Sequence, residues 1–469
     1  MIKSFSFYSF GEIFSRLGKV LFLFILAIIQ SKSDHGMFNY LFSIVGLLVV
    51  FFDCGLSTYM VVRAKPKNLE YLFNVFLHAK ITVISLVLLS TIFLIKFNYI
   101  FNKINFFCSL YIIGLAILWD LSVFIGSALR SRFDFFGDSV IKILSSFIPF
   151  LFLIIFYYKK STIGIQEALL SQLLGFLVAD LWGVNRANSS HRIQKISARL
   201  KTKIIPLISM GFMISIASSG AVLLSSIDAL ILGHFSKFEF LASFSIANKI
   251  ALMAYIPLGI IIGYLMPFFV KYYRGDRQFD ITFLNNIFIA SIFAGLFFTQ
   301  MYIFGIDFIV ANILHAKYQD LITFSSAMSF MILPNFIHPV FWAILASKRS
   351  TLLIQMPPAI TTFIIIIYDI VSITHFNENY LKWSPFIANS FILLIFILFF
   401  RFKYKYLPFN KKTYIYFFAS LFASFFLYFF RENEIFVYFL RVILVVISVG
   451  GVFIYGNKCF NYFRKNLYV

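Results

Sequence analysis

The sequence predicts an all-α, polytopic membrane protein with about fourteen transmembrane helices. Of its 469 residues, 61% are hydrophobic and only 13% are charged, whereas soluble domains carry roughly 25% charged residues. Apolar windows of about twenty residues, the length that spans a ~30 Å hydrocarbon core, recur along the whole chain. Between them no polar stretch is much longer than about twenty residues, so we expect no soluble catalytic domain.

The boundaries of the predicted helices follow from these windows and the polar segments between them. The predicted spans are residues 7–29, 37–62, 73–95, 106–128, 138–157, 164–184, 204–233, 242–270, 283–305, 321–346, 351–373, 384–400, 413–430 and 435–456. The last two are almost purely Phe, Tyr, Ile and Leu, and we expect them to be peripheral and to face lipid.

The basic residues set the expected orientation. The net charge is +21, but Lys and Arg occur in short runs between apolar segments, which is the pattern of topology signals and not of a nucleic-acid-binding surface. They are concentrated in alternate loops, including the loop that carries Arg63, Lys65 and Lys67. By the positive-inside rule that side is cytoplasmic. We therefore expect both termini to be cytoplasmic and the helix number to be even.

The longest basic loop, residues 185–203, suggests how the helices are grouped. It follows the sixth predicted helix, and we interpret it as a junction between two halves; the alternative is a patch that binds nucleic acid or lipid headgroups. The resulting organisation is an N-terminal six-helix lobe at 1–190, a basic cytoplasmic linker at 191–203, a C-terminal six-helix lobe at 204–400, and two additional helices with a cytoplasmic tail at 401–469.

The first helix carries the most informative charges. Its unbroken apolar part, Val20 to Ile29, covers only about half of the hydrocarbon core at 1.5 Å per residue. The helix must therefore extend back through Lys19 and Arg16, which share a face with Glu12. Each cation costs roughly 2.5–3.5 kcal/mol at a helix centre unless it faces water or an anion. We predict that this net-positive face points toward a watery interior; the alternative is that both cations snorkel to the cytoplasmic surface.

Other ionisable residues in the N-terminal half lie within predicted helices. Asp53 and Lys80 are too deep to reach the surface easily, and they are either functional or form an ion pair between helices 2 and 3. Lys142 and Asp180 lie near helix ends, where we expect snorkelling. Asp120 has no partner that the sequence identifies.

The C-terminal half is less charged but contains helix-breaking residues. Asp228 in helix 7 and Lys249 in helix 8 lie at comparable depth and either pair with each other or face a cavity. Pro257 is expected to break helix 8, and Pro334 and Pro339 to do the same in helix 10. Such breaks at membrane depth indicate a cavity or a hinge.

Motifs of catalysis are absent from the sequence. There is no Walker-type phosphate loop, no HExxH and no GxSxG. Cys54, Cys108 and Cys459 form no CxxC pair and suggest neither a disulfide framework nor a metal site. We expect no enzyme activity, cofactor or metal ion.

Three segments carry a family resemblance. GEIFSRLGKVLFLFILA, HGMFNYLFSIVGLLVVFFDCGLSTYMVVRA and SSIDALILGHFSKFEFLASFSIANKIALMAYIPLGIIIGYLMP resemble the Wzx-type O-antigen and capsular polysaccharide flippases. These form the polysaccharide transporter branch of the multidrug, oligosaccharidyl-lipid and polysaccharide (MOP) exporter superfamily, whose fold is MATE-like. The matching positions are Gly11 and Arg16, Gly36 with Phe38 or Tyr40, Asp53 and Gly55, and Asp228 and Gly233.

The resemblance implies a transporter that moves undecaprenyl-diphosphate-linked oligosaccharide across the bacterial inner membrane by alternating access. Arg16, Lys19, Lys80 and Lys249 would then bind the diphosphate or line its cavity, and Asp228 or Asp53 would couple transport to an ion. A polysaccharide polymerase and a chain-length regulator are the expected protein partners. The alternatives are a lipid II flippase, a cation-coupled multidrug exporter and, as an enzyme, a membrane polysaccharide polymerase or ligase.

Overall fold

The computed structural model describes most of the chain. The described residues are 2–57, 60, 74–85, 88, 106–132, 134–160, 162–188, 208, 223–224, 226–258, 281–347, 351–404, 410–429 and 434–467. Almost all of them are helical, and this confirms the predicted fold class. Within these ranges ten helices are long and apolar enough to cross a membrane, so the protein is a multi-span membrane protein. The total of about fourteen spans stays a prediction.

The helices are numbered here in chain order over the described ranges. They are α1 (Ile2–Ile29), α2 (Lys32–Asp53), α3 (74–85), α4 (Phe106–Ser131), α5 (Phe135–Lys160), α6 (Ile165–Asn188), α7 (226–234), α8 (Phe238–Met253), α9 (Ile281–Ile309), α10 (Leu321–Ser347), α11 (Thr351–His375), α12 (Ser384–Tyr404), α13 (Lys411–Phe429) and α14 (Glu434–Leu467). Each of them overlaps a helix predicted from the sequence.

Helix α2 ends earlier than its hydropathy predicts. The apolar pattern extends to residue 62, but α2 ends at Asp53, and helical geometry returns at residues 56–57 after a two-residue turn. Cys54 and Gly55 follow with φ angles of 46° and 68°, in the left-handed region that stops a helix. The break leaves the Asp53 carboxylate at a helix end, where it accepts hydrogen bonds from the backbone N–H and the hydroxyl of Ser57.

Proline acts differently in α8 and α10. Helix α8 ends at Met253, followed by a turn at Ala254 and Tyr255, because Pro257 has no N–H to donate to the preceding turn. The predicted break in helix 8 is therefore confirmed. Helix α10 instead continues through both of its prolines from Leu321 to Ser347. The predicted break in helix 10 is wrong, because Pro is tolerated within a membrane helix whose neighbours satisfy the freed backbone groups.

The chain forms two compact units, Met1–Ala242 and Ser243–Val469. The contact boundary therefore falls within α8. The lobes expected at 1–190 and 204–400 were defined by the basic loop and stay a prediction.

Small residues set the packing of α1 in the first unit. Gly11, Ser15 and Gly18 lie along one side of α1 and face α5. A Cβ on Gly11 would lie 2.5 Å from the Cβ of Ser139, and the hydroxyl oxygens of Ser15 and Ser146 are 2.8 Å apart. Small residues spaced in this way let membrane helices approach closely, which gains dispersion energy that lipid cannot supply.

Two glycines of the motifs make close contacts with a neighbouring helix. A Cβ on Gly36 in α2 would lie 1.8 Å from the carbonyl oxygen of Phe238 at the start of α8. A Cβ on Gly233 in α7 would lie 2.0 Å from the ring of Tyr40 in α2. These positions exclude any larger side chain, and they hold α2 directly against the turn that joins α7 to α8.

The last two helices pack on the outside of the second unit. Gly451 of α14 abuts the ring of Phe293 in α9, and Arg441 of α14 lies 3.5 Å from the carboxylate of Asp307 in α9. The rest of α14 exposes large apolar side chains such as Phe453. The helices expected to be peripheral and lipid-facing are thus anchored to α9 along one side.

We expect Gly36→Ala to destabilise the protein by about 1–3 kcal/mol, because overpacking against a backbone carbonyl cannot be relieved by a rotamer change. The measurement is the melting temperature of the purified protein in detergent. Gly46→Ala in the same helix is the matched control, since a Cβ there has its nearest neighbour at 3.8 Å. Its melting temperature should stay the same or rise slightly, because alanine is the better helix former. Equal melting temperatures for the two variants would contradict the close contact.

Candidate functional site

Helix α1 has three distinct faces. Its small residues face α5, while Phe10 and Leu21 on a second face are 53% and 44% exposed, as is typical of lipid contact. Arg16 and Lys19 are also exposed. At roughly 100° per residue they project on average about 100° from the face that packs on α5 and about 160° from the exposed apolar face. The cations therefore point away from the apolar surface and lie to one side of the face that packs on α5.

Glu12 connects this cationic face to the ends of α4 and α5. Its carboxylate lies 3.2 Å from the ammonium of Lys142, and the same ammonium lies 3.1 Å from the carboxylate of Asp138. Asp138 in turn lies 3.9 Å from Arg130, and Arg16 interacts electrostatically with Glu12. Lys142 lies within reach of two carboxylates, and the snorkelling of its side chain stays a prediction. The network contains two carboxylates, those of Glu12 and Asp138, and four cations, so its net charge is positive. The cations are Arg16, Lys19, Arg130 and Lys142.

A fully buried ammonium lies deeper in the same unit. The Nζ of Lys80 on α3 is 2.7 Å from Asp53 at the end of α2 and 2.6 Å from Asp120 on α4. It also lies 5.8 Å from the ring centroid of Phe124, which is a favourable position for a cation. The ion pair expected as one alternative for Asp53 and Lys80 is therefore present, and Asp120 gains the partner that the sequence did not reveal. The predicted role of Lys80 in a basic cavity stays a prediction.

Asp180 of α6 extends this arrangement. It is 5% exposed, so the predicted snorkelling of its side chain is wrong. One carboxylate oxygen accepts a hydrogen bond from the hydroxyl of Ser122, which lies two residues after Asp120 on α4. The other oxygen, like the second oxygen of Asp120, has no hydrogen-bond partner in the described part of the chain, and the two carboxyl groups interact electrostatically. We name Asp53, Lys80, Asp120 and Asp180 the buried charge cluster.

The remaining predicted site residues lie on α7 and α8. Asp228 is 6% exposed within α7, and Lys249 is half-buried on α8. The alternatives for these two residues, pairing or a cavity, both stay predictions.

The sequence analysis missed one buried acid. Asp369 of α11 is fully buried within the apolar run IIIIYDIVSI. The rule that singled out the other intramembrane charges also applies to it, since an acid within a long apolar segment is a candidate functional residue.

An apolar cavity of about 360 Å³ lies in the second unit among α9, α10, α12 and α13. Ile292, Pro334, Leu393 and Phe417 line it, and no charged residue of the described chain does. It therefore suits hydrocarbon and not a phosphate group.

The buried charge cluster yields a stability prediction. Replacing Lys80 with Met leaves two carboxylates at the cluster without their cation, and breaking a buried pair costs about 3–5 kcal/mol. We expect Lys80→Met to lower the melting temperature strongly, and the double variant with Asp120→Asn to recover part of the loss. Lys160→Met is the control: its ammonium is 2.5 Å from Glu167 but its side chain is 62% exposed, and such pairs contribute up to about 1 kcal/mol. Similar losses in both lysine variants would contradict the interpretation.

Known structures share this architecture. "Lipid II flippase MurJ, inward closed conformation" aligns with a TM-score of 0.69 at 15% identity, over 98% of this chain and 99% of that chain. An inward-facing MATE-family multidrug resistance transporter of the MOP superfamily gives 0.58 at 14% identity, over 86% and 95%. The MATE multidrug transporter DinF-BH gives 0.57 at 14% identity, over 85% and 94%. The fold is therefore that of the MurJ and MATE transporters.

Sequence comparison identifies the family. No curated protein matches the chain significantly. The family model described as "Polysaccharide biosynthesis protein" matches residues 1–273, which include the cationic face of α1 and all four members of the buried charge cluster. The chain therefore belongs to the polysaccharide biosynthesis protein family.

Proposed function

We propose that this protein is a flippase for undecaprenyl-diphosphate-linked oligosaccharide, the repeat unit of an O-antigen or capsule. It moves this lipid from the cytoplasmic to the outer leaflet of the bacterial inner membrane by alternating access. The family supports a role in polysaccharide biosynthesis, and the fold is one used by transporters. The observation that carries the proposal is the cationic face of α1.

The substrate's diphosphate explains why a membrane helix would carry such a face. A phosphate group enters a low-dielectric region only when fixed cations and hydrogen-bond donors replace its water. Arg16 supplies a planar guanidinium that binds two phosphate oxygens at once, and Lys19 supplies a compact charge one turn away. Both side chains are exposed and point away from the apolar surface of α1. The sugars would contact aromatic and polar side chains, while the lipid tail stays in hydrocarbon.

Two further lysines have different parts in the proposal. Lys249 is half-buried on α8 and would supply an additional cation as the substrate moves. Lys80 is fully enclosed by Asp53 and Asp120, so it joins a substrate-binding surface only if both ion pairs break.

Ion coupling is assigned to buried acids. Asp228 on α7 and Asp53 at the end of α2 are the candidates, because an intramembrane carboxyl that changes its charge during transport can link two conformations. Of the two carboxylates that contact Lys80, that of Asp53 is the more exposed, with 18% of its side chain accessible to solvent.

The proposal includes the protein's place in the cell. Its basic loops put both termini in the cytoplasm, and its substrate puts it in the inner membrane. It forms and breaks no covalent bond, and its product would pass to a polysaccharide polymerase that works with a chain-length regulator.

Lipid II flipping is the second candidate function. The alignment with MurJ covers nearly all of both chains, and lipid II carries the same undecaprenyl diphosphate. The two functions differ in the sugar that is accepted. Rescue of a strain depleted of its lipid II flippase would favour this candidate, whereas rescue of an O-antigen or capsule flippase-null strain would favour the first.

We expect Arg16→Ala to abolish surface polysaccharide in a complemented flippase-null strain, because the diphosphate loses its bidentate partner. The measurement is surface polysaccharide on immunoblots, normalised to the abundance of the protein in the membrane. Arg16→Lys keeps the charge and should retain partial activity.

Lys159→Ala is the control for this experiment. It removes an exposed cation at the end of α5, so it should leave the polysaccharide unchanged. Normal polysaccharide in Arg16→Ala at equal abundance would remove Arg16 from the mechanism.

A further inference from the structure

The buried charge cluster has fewer cations than carboxyl groups. The ammonium of Lys80 lies between Asp53 and Asp120, and Asp180 interacts electrostatically with Asp120. Lys80, Asp120 and Asp180 are each at most 5% exposed. With every carboxyl group ionised, the cluster would carry a net charge of −2. Burying an uncompensated carboxylate costs several kcal/mol, and a group in that position takes up a proton instead.

The excess charge lies at one end of the cluster. Lys80 donates hydrogen bonds to Asp53 and to one oxygen of Asp120, so its positive charge offsets negative charge on the side of the cluster nearest α2. Asp180 accepts a hydrogen bond from the neutral hydroxyl of Ser122. The second oxygens of Asp120 and Asp180 are buried without a hydrogen-bond partner among the described residues. When two buried carboxyl groups interact and the described residues offer one of them only a neutral hydroxyl, ionising both is costly, so one of the two is expected to keep its proton.

We propose that Asp120 and Asp180 hold one exchangeable proton, and that the buried charge cluster is the proton-coupling site of the transporter. The coupling role rests on the proposed function; the bound proton does not. A further titratable group near the cluster is the Cys54 thiol at the end of α2, which interacts electrostatically with Asp53, Lys80 and Asp120.

The chemistry of the cluster favours a proton over a metal ion. The ammonium of Lys80 already occupies the position between Asp53 and Asp120 that a cation would take. The described residues also contain no group of three His, Cys, Asp or Glu side chains arranged to hold a metal ion. A proton needs only one buried carboxyl oxygen, and the second oxygens of Asp120 and Asp180 have no hydrogen-bond partner among the described residues.

The structure also provides a route for exchange. Asp53 is the one member of the cluster with appreciable exposure, 18% of its side chain. Lys80 touches both Asp53 and Asp120, so it can give one proton to the Asp53 carboxylate and take one from the Asp120 carboxyl group. Its own charge is then restored, and the proton leaves from Asp53 to water. No oxidation or reduction is involved.

Infrared spectroscopy of the full-length protein in lipid nanodiscs tests the bound proton directly. At neutral pH we expect the carbonyl band of a buried, protonated carboxylic acid, shifted in deuterated buffer. The band should disappear in Asp180→Asn and in Asp120→Asn. It should persist in Asp138→Asn, the matched control: Asp138 is equally buried in the same unit, but it lies near two cations, Lys142 and Arg130.

The wild-type spectrum decides the question even if a variant fails to fold. Absence of the band in the wild-type protein at neutral pH would overturn the proposal, as would its persistence in both the Asp180→Asn and Asp120→Asn variants. These outcomes do not depend on whether the protein transports any lipid.

A second measurement tests the coupling. In proteoliposomes with undecaprenyl-diphosphate-linked oligosaccharide, a pH gradient should accelerate flipping by the wild-type protein and by Glu239→Gln, a control that removes an exposed acid at the start of α8. We expect Asp180→Asn to flip without this acceleration. Acceleration that is unchanged in Asp180→Asn would overturn the coupling role. No flipping by the wild-type protein would instead overturn the proposed function, while the infrared band would stand.

Discussion

One fully buried ammonium group joins three helices of the first unit. Lys80 joins the end of α2, the helix α3 and the middle of α4 through carboxylates 2.7 Å and 2.6 Å away. Replacing a buried ion pair by apolar residues is often neutral or stabilising, so stability alone does not explain its presence. In the buried charge cluster, Lys80 offsets the charge beside Asp53, whereas Asp180 has only a hydroxyl partner among the described residues. The protonation state of such a coupled network depends on its surroundings.

The geometry of α2 makes this arrangement possible. Its left-handed residues Cys54 and Gly55 stop the helix and leave the Asp53 carboxylate bonded to Ser57 and Lys80. At its other end, Gly36 admits the backbone of Phe238. The same helix thus carries the open end of the buried charge cluster and the close contact with the start of α8. Irregular backbone is tolerated at membrane depth only where other protein groups or water satisfy it, and here side chains do so.

The charges of the first unit fall into two classes that have different chemistry. Arg16 and Lys19 are exposed on a face that is neither packed nor apolar, which suits an anion that binds and leaves. Lys80 is fully buried between two carboxylates, which suits a role inside the buried charge cluster. The sequence grouped all three as one basic surface, because hydropathy gives depth along a helix and not the direction in which a side chain points.

The sequence by itself determined the all-α membrane fold and the position of nearly every described helix, since the length and apolar character of a span follow from the thickness of the bilayer. It also identified Asp53, Lys80 and Asp120 as unusual, because a charge is costly at that depth wherever it points. Only the tertiary structure decided that these three meet, that Asp180 joins them, that α10 passes through two prolines unbroken, and that the motif glycines are contact points. Those outcomes depend on residues far apart in the chain, whose side chains become neighbours only when helices pack, and local sequence patterns do not encode that packing.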